Sequence, residues 1–219
     1  MKKTNTSNPM AAVYSITITC IFSLILIFPS SRAVFALFSG EHPFLSALIK
    51  FTLLATVGEL FAIRLSTGKW GFPSYVVARA LIWGVLGMFI TIAFKIFGSG
   101  VQHVLETGIL PGGTGRFWKA FMTSFWCNLF FAPFMMGAHK LTDTYLDLKE
   151  KGHKKIHLAD LPAAINWKAF VSFTLFKTIP LFWIPAHTIT FMLPGEYQTI
   201  MAAYLSIALG IILNLKRRS

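Results

Sequence analysis

The sequence has few charged residues, and acidic ones are especially rare. Only 13% of its 219 residues are charged, with 20 Lys and Arg against 8 Asp and Glu. A soluble domain carries about a quarter charged residues, so the composition disfavours a soluble fold. A net charge of +12 would fit a nucleic-acid partner in a soluble protein. Here the basic residues cluster at the ends of apolar runs, and no nucleic-acid partner is expected.

Signatures of enzymes and metal sites are also scarce. The two cysteines, Cys20 and Cys127, lie inside apolar runs and give no disulfide framework. The sequence contains no phosphate-binding glycine loop and no nucleophile elbow. His139 and Asp143 have a spacing that suits two metal ligands on one helix face, but no ligand cluster accompanies them. A solvated helix end is the preferred interpretation, and we expect no enzyme activity, metal or cofactor.

Apolar runs recur along the chain to its end. Hydrophobic residues make up 55% of the sequence, and the mean hydropathy is +0.64. A bilayer core needs about 20 apolar residues per helix. We therefore predict an all-α fold, an integral membrane bundle of about six transmembrane helices in a single membrane domain over residues 1–219. The predicted spans are 11–28, 43–65, 74–97, 116–141, 166–193 and 196–215.

Glycine, proline and polar residues set the predicted ends of these spans. The third span is expected to stop at the glycines of 98–100, and a polar loop at 142–165 is expected to follow the fourth. The lysine-rich start resembles a signal peptide, but the run of 11–28 is long for one. An uncleaved first helix is preferred.

The basic residues fall mostly in alternate loops, which indicates the orientation. With six spans, one side holds the following residues: Lys2, Lys3, Arg64, Lys69, Lys140 to Lys155, Lys216, Arg217 and Arg218. Positive loops stay inside, so both termini are predicted to be cytoplasmic. The two-lysine start without an evident transit peptide favours a bacterial inner membrane. The loop lysines are expected to be solvated, with contact to lipid headgroups as the alternative.

Charged residues at bilayer depth are costly and usually face the protein interior. Glu59 and Arg79 lie near the same end of two antiparallel spans, so an ion pair between them is predicted. The alternative is that Arg79 reaches the interface alone.

The fifth span carries the strongest indication of a site. Lys177 lies near mid-depth, and Pro180 and Pro185 are expected to break the helix and free backbone carbonyls. His187 follows just beyond the break. In the fourth span, Asn128 lies on a face of small and polar residues. A pore lining and simple helix packing both remain open for these residues.

Residues from His42 onward resemble a known family. The part before the polar loop contributes the following motifs: His42-Pro43, Gly58-Glu59, Arg79, Gly87, Phe94-Lys95, Cys127-Asn128 and Ala132-Pro133. The C-terminal part contributes the following: Asn166-Trp167, Trp183, Pro185, His187, Thr190-Phe191, Leu193-Pro194, Tyr197-Gln198 and Leu205-Ser206. On these residues the chain looks like a divergent relative of the twenty-two-kilodalton peroxisomal membrane protein family (the Mpv-seventeen family). The resemblance implies a small integral membrane protein, and some members are proposed to form weakly selective solute channels.

The predicted function is a small channel or transporter for polar solutes, with some preference for anions. The residues predicted to line or gate the path are Glu59, Arg79, Asn128, Lys177 and His187. One alternative is a membrane scaffold or assembly factor that binds a protein or lipid partner and moves nothing. The other, ranked last, is an intramembrane lipid-modifying enzyme. The expected partners are membrane lipid and a small polar solute, and a homo-oligomer is compatible with this function.

Overall fold

A computed structural model describes residues 7–215, with side chains described as far as residue 209. The basic residues Lys2, Lys3, Lys216, Arg217 and Arg218, which carry part of the orientation prediction, lie outside the described residues. Every regular element in the described part of the chain is helical. The all-α prediction is therefore confirmed for this part.

The helices follow one another through short connections. They are α1 (Pro9–Ile27), α2 (Pro29–Glu41), α3 (Pro43–Thr67), α4 (Val76–Glu106), α5 (Arg116–Glu150), α6 (Asp160–Ala164), α7 (Trp167–Ala169), the π-helical segment π1 (Phe170–Trp183), α8 (Ile184–Phe191) and α9 (Gly195–Leu215). Proline begins α1, α2 and α3, where its missing N–H costs nothing.

Among the described residues, five helical stretches are long and apolar enough to cross a membrane. They are Pro9–Ile27, Pro43–Thr67, Val76–Glu106, Arg116–Glu150 and Trp167–Phe191, the last formed by α7, π1 and α8 together. Several of their large apolar side chains point outward, with Phe134 and Leu181 each 77% exposed. Such surfaces suit lipid contact, so the helices are those of a multi-pass membrane protein. The sixth predicted span coincides with α9, whose side chains are described only in part, and it stays a prediction.

The ends of α4 and α5 differ from those predicted. Instead of stopping at Gly98, α4 continues to Glu106, because Val101 and Leu105 pack into the interior at 4% exposure each. Burial of these two side chains outweighs a cost of about 1 kcal/mol per helical glycine. The predicted polar loop at 142–165 begins later, since α5 runs on to Glu150.

The helix α5 continues because its last turns are rich in good helix formers such as Leu, Lys and Glu. It ends where Gly152 adopts a left-handed conformation, with φ at 91°. The polar residues from 142 onward therefore do not mark where the helix stops, and Thr144 and Leu146 among them are still buried.

The segment between the first two predicted spans is also helical. It forms α2, which contacts both α1 and α3. The described residues divide into two compact units, one within Met1–Met88 and Thr199–Ser219, the other within Phe89–Gln198. Buried polar side chains in each unit are described below.

Candidate functional site

Two residues of the predicted path, Glu59 and Arg79, lie in the first unit. The Trp83 indole Nε1 donates a hydrogen bond of 2.7 Å to Glu59 Oε1, so α4 supplies a donor to the carboxylate on α3. Arg79 Nε donates to the backbone oxygen of Ser74 at 3.1 Å. The ion pair between Glu59 and Arg79 stays a prediction.

Two other predicted residues, Asn128 and His187, meet in the second unit. Asn128 is 1% exposed on α5, which packs against α8. Its Nδ2 donates to the backbone oxygen of Ser124 at 2.8 Å and lies 3.1 Å from His187 Nδ1. The structure therefore joins, by a direct hydrogen bond, two residues that are 59 positions apart in the sequence.

These contacts assign the hydrogen-bonding roles. A backbone carbonyl only accepts, so the contact with Ser124 identifies the Asn128 amide nitrogen as the donor. His187 Nδ1 must then accept, which places the ring proton of a neutral imidazole on Nε2. The pair offers the Asn128 carbonyl oxygen as an acceptor and the His187 Nε2–H as a donor.

Aromatic rings surround the His187 side chain. Its ring centroid lies 5.1 Å from that of Trp183, 5.4 Å from that of Phe94 and 6.3 Å from that of Phe191. Buried polar atoms in such a setting need hydrogen-bond partners. Among the described residues, neither Asn128 Oδ1 nor Trp183 Nε1 has one. We call Asn128, Trp183 and His187, with Ser124, the Asn–His cluster.

A serine fixes the two helices of this cluster to each other. Ser124 Oγ donates a 2.7 Å hydrogen bond from α5 to the backbone oxygen of Ile184. Ile184 begins α8 where π1 ends, so it lies where the backbone bonds change from five-residue to four-residue spacing. The Ile184 oxygen also accepts a 2.7 Å bond from the Thr188 hydroxyl on its own helix, so the Ser124 contact serves to join α5 to α8 one turn before His187.

Where the sequence predicts a break in the fifth span, the structure shows a change of helix type. The chain stays helical past Pro180 and Pro185, because Pro180 lies inside π1 and Pro185 in the first turn of α8. A proline is tolerated in a first turn, and a π-helical segment replaces the interruption expected at Pro180.

Lys177 does not join the Asn–His cluster. Its side chain is exposed on π1, while Thr178 and Ile179 beside it are buried. The cluster therefore carries no formal charge. That Lys177 lines a solute path stays a prediction.

The metal interpretation that the sequence disfavoured gains no support. His139 Nε2 lies 3.5 Å from Asp143 Oδ2, as their spacing on one helix face predicts. No group of three or more metal-ligating side chains is present in the searched part, residues 7–209.

Sequence reasoning missed a second buried polar cluster. Lys50 on α3 is 3% exposed and contacts Ser39 of α2, and Ser39 in turn contacts Ser46. A signal was available, because Lys50 is a lone cation inside an otherwise apolar run. Trp83 was missed as well, since an indole in an apolar helix resembles ordinary core.

In the comparisons with known proteins, no family model, no curated protein and no solved structure matches the chain. The resemblance drawn from short motifs stays a prediction.

Proposed function

We propose that this protein is a channel or transporter for small polar solutes, and that the Asn–His cluster contacts the solute. The observation that carries the proposal is the pair of buried polar atoms, Asn128 Oδ1 and Trp183 Nε1, that lack a partner among the described residues. Leaving a buried polar atom unsatisfied costs about 1–3 kcal/mol. A passing solute or water that bonds to both atoms removes this cost.

The surroundings strengthen the argument. Polar side chains inside membrane helices are expensive and commonly mark substrate pathways. In this chain α5 and π1 present apolar side chains such as Phe134 and Phe176 outward, while α5 and α8 hold Asn128 and His187 together. Ser, Asn and His also hydrogen-bond between helices that only pack together, so the argument for a path rests on the unpartnered atoms.

The chemistry of the cluster favours an uncharged solute. It offers an amide oxygen as acceptor and indole and imidazole N–H groups as donors, beside aromatic faces. A small molecule with hydroxyl or amide groups matches this set, because it both donates and accepts hydrogen bonds. The anion preference predicted from the sequence rested on cations outside this cluster.

The proposed setting is a bacterial inner membrane with both termini in the cytoplasm. The support is the concentration of basic residues in alternate loops. The family resemblance supports the same functional class. A scaffold that binds a protein or lipid partner and moves nothing is the competing proposal, and it predicts no solute flux.

Flux into reconstituted vesicles tests the proposal. Purified protein in liposomes should speed the entry of a small neutral solute such as glycerol, followed by light scattering after rapid mixing. Trp183→Phe removes the unpartnered indole N–H and keeps an aromatic ring. We expect this variant to lower the flux by about tenfold, the effect of losing one hydrogen bond of roughly 1.4 kcal/mol in the barrier.

Trp167→Phe is the matched control. It makes the same chemical change in the same helical run, at an indole that is exposed and bonded to the backbone oxygen of Pro162. Its flux should equal that of the unchanged protein. Equal flux in protein-containing and protein-free vesicles would refute transport of this solute class and favour the scaffold.

A further inference from the structure

A lysine is buried inside one of the candidate membrane helices. Lys50 lies on α3 within the stretch Pro43–Thr67, and its side chain is 3% exposed. A buried ammonium loses its hydration, and that loss must be compensated by a partner. The question is whether the surrounding protein provides one.

The contacts of Lys50 are few. Its Nζ donates a 2.9 Å hydrogen bond to Ser39 Oγ and lies 4.4 Å from the centre of the Phe35 ring, both on α2. Ser39 Oγ is 3.1 Å from Ser46 Oγ on α3. The hydroxyl-bearing residues Ser39 and Ser46 are 7% and 2% exposed, so all three polar side chains are buried. We call Ser39, Ser46 and Lys50 the lysine cluster.

The lysine cluster has more hydrogen-bond donors than acceptors. An ammonium has three donors and no acceptor, and the described contacts give Lys50 one hydroxyl oxygen and one ring face. No carboxylate among the described residues forms an ion pair with it. The cluster has a positive charge and N–H donors to spare.

We propose that the lysine cluster binds a small monovalent anion, of which chloride is the simplest. The anion accepts the remaining N–H bonds of Lys50 and a hydroxyl bond from the serine pair, and it neutralises the buried charge. A lipid headgroup is too large for a cation that is 97% covered by its own chain. This site lies in the first unit and is independent of the solute path proposed for the Asn–His cluster.

Chloride magnetic resonance tests the inference. The protein is purified in a neutral detergent with gluconate as the anion, and chloride is then titrated in. Bound chloride that exchanges with free chloride broadens the chloride resonance. Added iodide should displace the bound chloride and remove the extra width. Lys50→Met should abolish this excess width and Lys50→Arg should retain most of it, because Arg keeps the charge. Ser39→Ala should weaken chloride binding by about tenfold through loss of one hydrogen bond.

Lys168→Met is the matched control, since it removes an exposed lysine from the other unit. Its chloride signal should equal that of the unchanged protein. The inference is overturned if the unchanged protein gives no excess width, or if Lys168→Met loses as much of that width as Lys50→Met. If Lys50→Met does not fold, Ser39→Ala decides: unchanged binding in that variant overturns the site.

Discussion

Single hydrogen bonds decide whether the Asn–His cluster keeps its geometry. Ser124 is 0% exposed, and its hydroxyl reaches the carbonyl of Ile184 at 2.7 Å. Ser124→Ala should therefore lower the free energy of unfolding in detergent by about 0.6–1.5 kcal/mol, the range for hydrogen bonds between membrane helices and in proteins generally. Reversible unfolding with a denaturing detergent measures the change.

The control for this prediction is Ser172→Ala. The Ser172 hydroxyl also makes a 2.7 Å bond to a backbone oxygen, that of Lys168, but it is exposed and stays within one helical run. Ser172→Ala should lower the free energy of unfolding by less than Ser124→Ala does. Equal costs would mean that Ser124 does not hold α5 and α8 together.

The predicted pair of Glu59 and Arg79 is tested by a double-mutant cycle. Glu59 is half-buried and accepts a bond from Trp83. If Arg79 also pairs with it, Glu59→Gln and Arg79→Gln should be coupled by roughly 0.5–3 kcal/mol. The same denaturing-detergent titration measures all four proteins. If the effects of the two single substitutions on the free energy of unfolding simply add in the double variant, the two charges do not interact.

The inward position of Ser124 and Asn128 was predictable at this scale, but their partners were not. The three- and four-residue spacing of helices places Ser124 and Asn128 on one face of α5. The sequence around Asn128 does not indicate that this residue meets His187, because the contact depends on the lengthwise position of α5 relative to α8. Lys50 was missed for a different reason. It stands out in the sequence as a cation in an apolar run, but its burial results from the packing of α2 against α3.

At the scale of elements, close packing of α3 against the first part of α4 depends on glycine. A Cβ added at Gly84 would overlap Thr52 Oγ1 and lie 2.8 Å from Leu48 Cδ1. Gly84→Ala should destabilise the protein by about 1–3 kcal/mol, as overpacking does. The midpoint of thermal unfolding in detergent should fall accordingly.

Gly98→Ala supplies the matched control on the same helix. A Cβ at Gly98 meets nothing within 4 Å, and Ala is the better helix former by about 1 kcal/mol. This variant should be as stable as the unchanged protein or more stable. A stabilising effect at Gly84 equal to that at Gly98 would contradict the close approach of α3 and α4.

The ends of elements were harder to predict than their existence. The predicted first span, 11–28, corresponds closely to α1, Pro9–Ile27, because Pro29 follows it directly. The predicted end of the third span at the glycines was wrong, since the buried side chains beyond them hold α4 together. The π-helical form of π1 had no sequence signal beyond Pro180, because proline alone also fits a kink or a helix end.

For the whole molecule, the topology makes a definite prediction. Six spans with positive loops inside put the region around Gly152 and the C-terminus in the cytoplasm, and the region around Gly113 outside. Reporter fusions at these three positions should read inside, inside and outside. A C-terminal reporter outside the cytoplasm would exclude the six-span model and point to an odd number of crossings.

If the Asn–His cluster contacts a solute, water-borne molecules reach it inside the membrane. Thiol labelling tests it without knowledge of the solute. In a variant with Cys20 and Cys127 replaced, His187→Cys in reconstituted vesicles should react with a small water-soluble thiol reagent. Ile189→Cys, two residues away on α8 and 58% exposed on the apolar surface, should face lipid and stay unreactive. An unreactive His187→Cys in a properly inserted protein would show that water does not reach the cluster, which would then be a dry structural contact.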